Sequence, residues 1–255
     1  MICSVELPIK YLSEYSKYFD YDFVIASTWA DYPEYSKYFI KQRPKKRFTI
    51  LDNGAFEKGE AIDNDKYIEI VEKLYPNVVI LPDCYKNSVK TLKRSEDFLS
   101  VWKKSQLRND IELMGVVQGR SWIEIESLAE IYRKNGISWI GIPYATGLDR
   151  YQLIKAHPEW EKVHILGLPV VTEVLALNTL PNVVSVDSSL PVKCTGENKE
   201  LLYDYTAKTY FGPTEQNLCK CPSVKSKFLF NLKTFSKICH EEIGLSFLKK
   251  EKESL

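Results

Sequence analysis

Short runs of β-branched and aromatic residues alternate with longer stretches of helical periodicity along most of this 255-residue chain. Strand-like runs fall at Phe23–Ala26, Phe48–Leu51, Val78–Leu81, Glu112–Val117, Ser138–Gly141, Val163–Gly167 and Val183–Val186. Between them, Asp65–Leu74 places Tyr67, Ile68, Val71 and Leu74 on one helical face. Trp122–Lys134 does the same with Ile125, Leu128, Ala129 and Tyr132, and Val171–Leu177 precedes the last strand-like run. Strand–helix alternation predicts an α/β fold with a parallel sheet and helices outside it. Seven strands are readable, and an eighth is expected near Tyr203–Phe211. The length is close to the ~250 residues typical of a (β/α)8 barrel, so a TIM barrel forming one domain over 1–255 is the predicted architecture. After Pro191 the pattern degrades, and about 194–255 is expected to be a short irregular C-terminal region with one helix-like stretch from Lys227 to Glu242. No glycine-rich phosphate fingerprint follows the first strand, which argues against a dinucleotide-binding sheet. The hexapeptide EYSKYF occurs at Glu14–Phe19 and at Glu34–Phe39, and two copies do not make a solenoid.

Polar residues recur where the apolar runs stop. FTILDNGAF carries Asp52, VVILPD carries Asp83, VVSVDSS carries Asp187, and ELMGVVQG ends on Gln118 and Gly119. In a parallel α/β fold the C-terminal ends of strands share one rim, where chemistry is done. Desolvating a carboxylate costs several kcal/mol, so three at strand ends need a reason.

Composition narrows the partners. Hydrophobic content of 44% and charged content of 27% describe an ordinary globular protein, and the net charge of +1 supplies no global field toward polyanions. A polyanion partner would need local patches, such as Lys41–Arg47 (KQRPKKR) or the lysine-rich Lys220–Lys237, both of which also suit plain solvated surface. No apolar run approaches the roughly 18 residues of a membrane helix, and MICSVELPIK lacks signal-peptide character, so no membrane partner is expected. Six scattered cysteines, Cys3, Cys84, Cys194, Cys219, Cys221 and Cys239, fit a reducing cytoplasm. The three histidines, His157, His164 and His240, lack H-x-x-x-H spacing. Carboxylates alone could hold a hard metal, although such sites usually add further ligands. They also suit work on a glycosidic bond, one attacking the anomeric carbon and another moving a proton.

Six motifs occur in a telling order: LDNGAF (Leu51–Phe56), LPD (Leu81–Asp83), GVVQG (Gly115–Gly119), WIGIPY (Trp139–Tyr144), HILGLP (His164–Pro169) and VDSSLPVK (Val186–Lys193). Each is weak alone. Together they resemble the tRNA-guanine transglycosylase family: its D-S-G-G-F segment, second aspartate, V-Q-G strand, glycine-rich strand end, L-M-G-x-G-x-P turn and F-D-C-V-x-P-T-R stretch. The resemblance covers over half the chain. Family tRNA enzymes run well over a hundred residues longer and carry a zinc knot, C-x-C-x-x-C with a distant histidine. Here Cys219 and Cys221 supply C-x-C, but Val224 holds the third position. Cys239 and His240 could complete an altered ligand set, although adjacent residues seldom share one metal. The alternative is a pair of small buried thiols. The compact length and the D-S-S around Asp187 are more similar to the DNA-directed branch of phages and bacterial genomic islands, which exchanges guanine in DNA for a 7-deazaguanine such as 7-cyano-7-deazaguanine.

The resemblance implies roles, and each residue has a local alternative. Asp187 becomes the nucleophile, where Asp-Ser-Ser also suits a helix N-cap. Asp52 becomes the general acid/base, where Asp-Asn-Gly also suits a turn. Asp83 and Gln118 would read the base edge, with backbone N–H groups of Gly119 and Gly141 completing it. Phe56 or Tyr144 would stack on the purine, unless they are core packing. Arg43, Lys45, Lys46, Arg47 and Lys193 would hold phosphates. No cofactor is required on this reading. The partners are a guanine in DNA or tRNA, flipped or single-stranded, a free 7-deazaguanine base, and a homodimer mate or helper protein. Competing functions on the same residues are tRNA base exchange, nucleoside hydrolysis, and a non-catalytic nucleic-acid-binding subunit.

Overall fold

The structure, a computed structural model, describes residues 1–105, 107, 110–201 and 222–240. Eight parallel strands form one sheet: β1 (Ile2–Val5), β2 (Asp22–Ile25), β3 (Thr49–Asp52), β4 (Val78–Ile80), β5 (Glu112–Val116), β6 (Trp139–Pro143), β7 (Lys162–Leu166) and β8 (Val183–Ser188). Each of β2 to β8 pairs in parallel with the next, and β8 pairs with β1. The sheet curls into a nearly closed (β/α)8 barrel. At the seam between β1 and β2, Asp20 N–H donates to Cys3 O (3.1 Å), Cys3 N–H to Asp20 Oδ2 (2.7 Å) and Ser4 Oγ–H to Tyr21 O (2.9 Å).

The helices are α1 (Leu12–Tyr15), α2 (Ala26–Asp31), α3 (Pro33–Gln42), α4 (Ala55–Lys58), α5 (Asn64–Leu74), α6 (Ser88–Trp102), α7 (Trp122–Lys134), α8 (Arg150–Ala156), α9 (Val171–Leu177), α10 (Leu190–Gly196) and α11 (Pro222–His240). Capping explains several starts. Asp63 accepts from Asp65 and Lys66 N–H at the head of α5, and Ser121 with Glu124 forms a capping box at α7. Apolar side chains between strands and helices form the larger core. A separate inner cluster of Phe23, Ile50, Ile80, Met114, Val116, Trp139 and neighbours fills the barrel itself.

One expectation needs correction. The eighth strand is the N-terminal Ile2–Val5, not a segment near Tyr203–Phe211, which lies outside the described residues. The helix expected over Lys227–Glu242 is present, starting earlier, at Pro222, and described as far as His240. Helix α11 buries Phe228, Leu232, Phe235, Ile238 and Cys239 against the barrel, and Phe228 packs on the rings of Tyr11 (5.4 Å) and Tyr15 (4.8 Å). Asn231, fully buried, ties it down by accepting from Leu201 N–H (2.7 Å) and donating to Thr195 Oγ1 (3.0 Å).

Candidate active site at the C-terminal rim

Strand parity decides which side chains enter the barrel. Successive residues of a strand face opposite sides, so Ile50 and Asp52 share one face of β3, and Ser185 and Asp187 share one face of β8. Ser4 pairs in register with Asp187, which carries Glu6, one residue beyond β1, to the same rim. Glu6 N–H continues the ladder to Ser188 O (3.2 Å). Asp52, Asp83, Asp187, Glu6 and Glu57 all line one cleft of about 360 Å³, together with Gln118, Phe56, Tyr144 and Lys193. The sequence predicted the first three acids. It missed Glu6, because β1 was not read as a strand, and Glu57, which sits on α4 just past the Asp-Asn-Gly turn.

Asp187 is buried and heavily supported. His164 Nε2 lies 3.1 Å from its Oδ1, Gly167 N–H donates to the same oxygen (3.3 Å), and Glu6 shares a hydrogen bond with it. Gly167 adopts a left-handed φ of 66°, which aims its N–H at the carboxylate. His164 is fully buried and stacks on Phe23 (5.8 Å). Its Nδ1 lies 2.8 Å from Ser185 Oγ, a pairing set by the register shift between β7 and β8 at Val163/His164. The ring serves both neighbours when Ser185 donates to Nδ1 and Nε2–H donates to Asp187. Asp187 is not a helix N-cap, because the residue before α10 is Ser189 and Asp187 bonds elsewhere.

Both readings of Asp52 hold at once. Its Oδ2 accepts from Gly54 N–H (2.7 Å), making the expected turn, while its carboxyl lines the cleft. Gly54 is obligatory there: φ is 79°, and an added Cβ would lie 2.5 Å from Ser27 Oγ. Desolvation, then the charges of Glu57 and Asp83, hold the Asp52 carboxyl well above its usual range, against the pull of the Gly54 bond. Desolvation, then the charge of Asp187, does the same for Glu6. Glu57 is raised first by desolvation and then by Asp187, and its Oε2 is buried without a hydrogen-bond partner among the described residues.

Asp83 is raised by burial, although two donors oppose the shift. These are Asn53 Nδ2 (2.9 Å to Oδ1) and Gln118 Nε2 (2.6 Å to Oδ2). Asn53 also donates to Leu81 O (3.0 Å) and accepts from Ala55 N–H (2.9 Å), so it joins the two strand ends. Gln118 Oε1 accepts from Lys86 N–H (2.9 Å). Each Asp83 oxygen keeps a second lone pair, and the Gln118 amide keeps a second N–H. Phe56 (63% exposed) and Tyr144 (61%) stand at the mouth, so neither is core packing.

Other predicted site residues lie elsewhere. Gly141 sits in the middle of the sheet, in register with Val116 and His164, and an added Cβ would meet Met114 Sδ and Leu166 Cδ1 at 3.1 Å. Gly119 packs under α7, where a Cβ would meet Glu124 Cβ at 3.0 Å. Neither lines the cleft; their missing side chains serve packing. The basic loop is at the opposite end of the barrel. Arg43 and Lys45 lie in a 3-10 turn, and Lys46 and Arg47 precede the start of β3, whose far end carries Asp52. Arg47 pairs with Asp22 (2.9 Å) and donates to the carbonyls of Ser16, Phe19 and Tyr21, and Arg43 stacks on Tyr75 (4.2 Å). Of the predicted phosphate ligands whose side chains are described, only Lys193 reaches the cleft, where it lies among the acids.

Only half of the altered zinc set is described. Cys219 and Cys221 lie outside the described residues. Cys239 is buried beside Cys3, while His240 turns outward to Asp20 (3.0 Å). The one group of potential ligands within 4.8 Å among the described residues is Cys3, Asp20 and His240. Its polar atoms are already engaged: His240 Nδ1 lies 2.6 Å from Ser236 O, and both Asp20 oxygens are bonded.

No protein-family model and no curated protein matches this chain. Among the described residues no helix is long and apolar enough to cross a membrane.

Proposed function

We propose that this protein is a base-exchange transglycosylase that replaces guanine in DNA with a 7-deazaguanine. The observation that carries the reading is the asymmetry between two carboxyl groups in one cleft. Asp187 is surrounded by hydrogen-bond donors, and Asp52 is held above its usual range. A carboxylate held by hydrogen-bond donors suits a nucleophile, and a carboxyl raised by burial suits a proton carrier.

On this reading Asp187 attacks C1′ of the target nucleotide. The C1′–N9 bond breaks, its electron pair leaves with guanine, and protonated Asp52 supplies the proton that makes guanine neutral. The product is an Asp187–C1′ ester and an Asp52 carboxylate. The incoming 7-deazaguanine gives its ring N–H proton to Asp52 and attacks C1′; the ester C–O bond breaks and Asp187 returns as carboxylate. Two inversions give net retention. Asp83 receives N1–H and the exocyclic amine of either base, Gln118 serves the carbonyl edge, and Phe56 and Tyr144 flank the ring. The chemistry requires no cofactor.

The test is incorporation of radiolabelled 7-cyano-7-deazaguanine into single-stranded DNA, duplex DNA or tRNA. Label in DNA supports the proposal. Label in tRNA alone moves the acceptor to RNA. Guanine release without label makes the protein a hydrolase, and no turnover with any acceptor removes the enzymatic reading.

A further inference from the structure

Large exposed hydrophobic side chains cluster on one side of the rim. Phe56, Tyr85, Val89, Trp122, Ile123 and Tyr144 are all exposed, and all follow the C-terminal ends of β3, β4, β5 or β6. The loops and helix starts that carry them follow four neighbouring strands and so make one crescent of the rim, of which Phe56, Tyr85 and Tyr144 line the cleft itself. The rings of Phe56 and Tyr85 meet edge to face at 5.9 Å. The loop carrying Tyr85 is tied to the next by Lys86 N–H to Gln118 Oε1 (2.9 Å) and by Ser88 Oγ–H to Glu124 Oε1 (3.2 Å).

Cations share these loops and helix starts, one of them over a ring, while Lys90 also borders a surface pocket with Asp63 and Asp97. Lys86 holds a left-handed φ of 57°, and its ammonium lies 5.0 Å from the Tyr85 ring centroid. Lys90 occupies the first turn of α6, and Arg120 precedes α7. The nearby acid Glu124 is committed to capping, accepting from Arg120 N–H (2.6 Å) and Ser121 N–H (3.2 Å). None of the three cationic side chains has a carboxylate partner among the described residues.

We propose that this crescent is a track for a single-stranded polynucleotide, with flanking bases on Tyr85 and Trp122 and phosphates on Lys86, Lys90 and Arg120. The inference rests on the base-exchange reading and adds the surface and the strandedness. Aromatic faces can stack only on bases whose own faces are free, which a duplex hides. Protein interfaces are depleted of lysine, so the lysines here favour a polyanion over a protein partner. The track also replaces the basic loop at the opposite end of the barrel as the phosphate-binding surface.

The experiment is fluorescence anisotropy of the full chain with a fluorescein-labelled single-stranded oligonucleotide and with its blunt duplex. Single-stranded binding should be tighter by about tenfold or more. Tyr85→Ala and Trp122→Ala should each weaken it by about 5- to 100-fold. Lys86→Gln and Lys90→Gln should each reduce the slope of log K against log salt by about 0.7. The double substitution Arg43→Gln with Lys46→Gln should change neither. Equal duplex binding with no effect of the aromatic substitutions overturns the track. So does loss of binding only in the Arg43/Lys46 variant, or no polynucleotide binding at all. Binding is read without turnover, so the two proposals separate. Single-stranded binding that needs Trp122, in a protein that exchanges no base, leaves the track and removes the exchange reading. Exchange with binding indifferent to Trp122 does the reverse.

Discussion

The two ends of this barrel use the same residue types to opposite effect. At the N-terminal end acids meet bases. Asp22 pairs with Arg47, whose guanidinium also satisfies three carbonyls, Asp20 pairs with His240, and Glu112 pairs with Lys162 beside Trp139. At the C-terminal end Glu6, Asp52, Glu57, Asp83 and Asp187 crowd one cleft with Lys193 as the cation in its lining. Paired charges close the seam and the floor of the barrel. Crowded carboxyls of one sign oppose folding, and such groups concentrate where chemistry needs them. Buried Arg150, paired with Glu173, is a structural ion pair at the C-terminal rim too, so the contrast lies between the paired charges and this one cleft; on the proposed reading the cleft is the reactive part, although a census of charges along the chain would rank the basic loop first.

The sharpest way to break this division is Asp187→Asn. The amide cannot form the ester, so incorporation of labelled base should fall by about 10⁴-fold or more, and the denaturant-resistant protein–DNA adduct on a gel should vanish. An adduct that persists moves the nucleophile elsewhere. Asp52→Asn comes next, with an expected loss of about 10²- to 10⁴-fold in single-turnover rate. Asp52 must be protonated to expel guanine, and its carboxyl is raised, so the first half-reaction should slow as pH climbs through its folded value. A pH profile of adduct formation that is flat across that range would take Asp52 out of the acid role. At the other end, Arg47→Ala removes the guanidinium that pairs with buried Asp22 and caps three carbonyls, and should cost about 3–5 kcal/mol of stability in urea unfolding. The folded protein should bind DNA as before. Unchanged stability with weakened DNA binding would reverse the assignment of the two ends.

Much of this was legible in the sequence. Trp122–Lys134 and Val171–Leu177 coincide end for end with α7 and α9, and the spacing of Ile125, Leu128, Ala129 and Tyr132 marks the first of them clearly. Asp52, Asp83, Gln118 and Asp187 reach one cleft, as expected of residues where parallel strands end. What escaped was the strand with the least signal. Ile2–Val5 is four residues, ICSV, with two weak strand formers, and missing it hid Glu6. His164 was read as a strand residue and part of a turn motif, with no role at Asp187; its place under Asp187 depends on a register shift that no local pattern encodes. The basic loop is a different kind of miss, since its position was readable. Arg47 comes two residues before a strand, not after one, and residues that precede parallel strands lie at the end away from the site.

The smallest effect tests whether the crowded end truly opposes folding. Glu57 contributes a raised carboxyl and a buried oxygen with no partner among the described residues, and it has no role in the proposed chemistry. A carboxyl whose folded value is raised binds its proton more tightly in the native state than in the unfolded chain. Its contribution is therefore fully favourable below the ordinary carboxylate range and is lost as pH rises through the folded value. Glu57→Gln stays neutral and escapes that loss. The variant should match the parent at about pH 3–4 and be more stable by about 0.5–2 kcal/mol near neutral pH, with the difference growing as pH rises. Calorimetry of both proteins across that range reads it directly. A difference that is constant with pH would mean that packing, not charge, governs this position. A variant less stable at every pH would mean that Glu57 is a paired structural acid, as at the opposite end of the barrel.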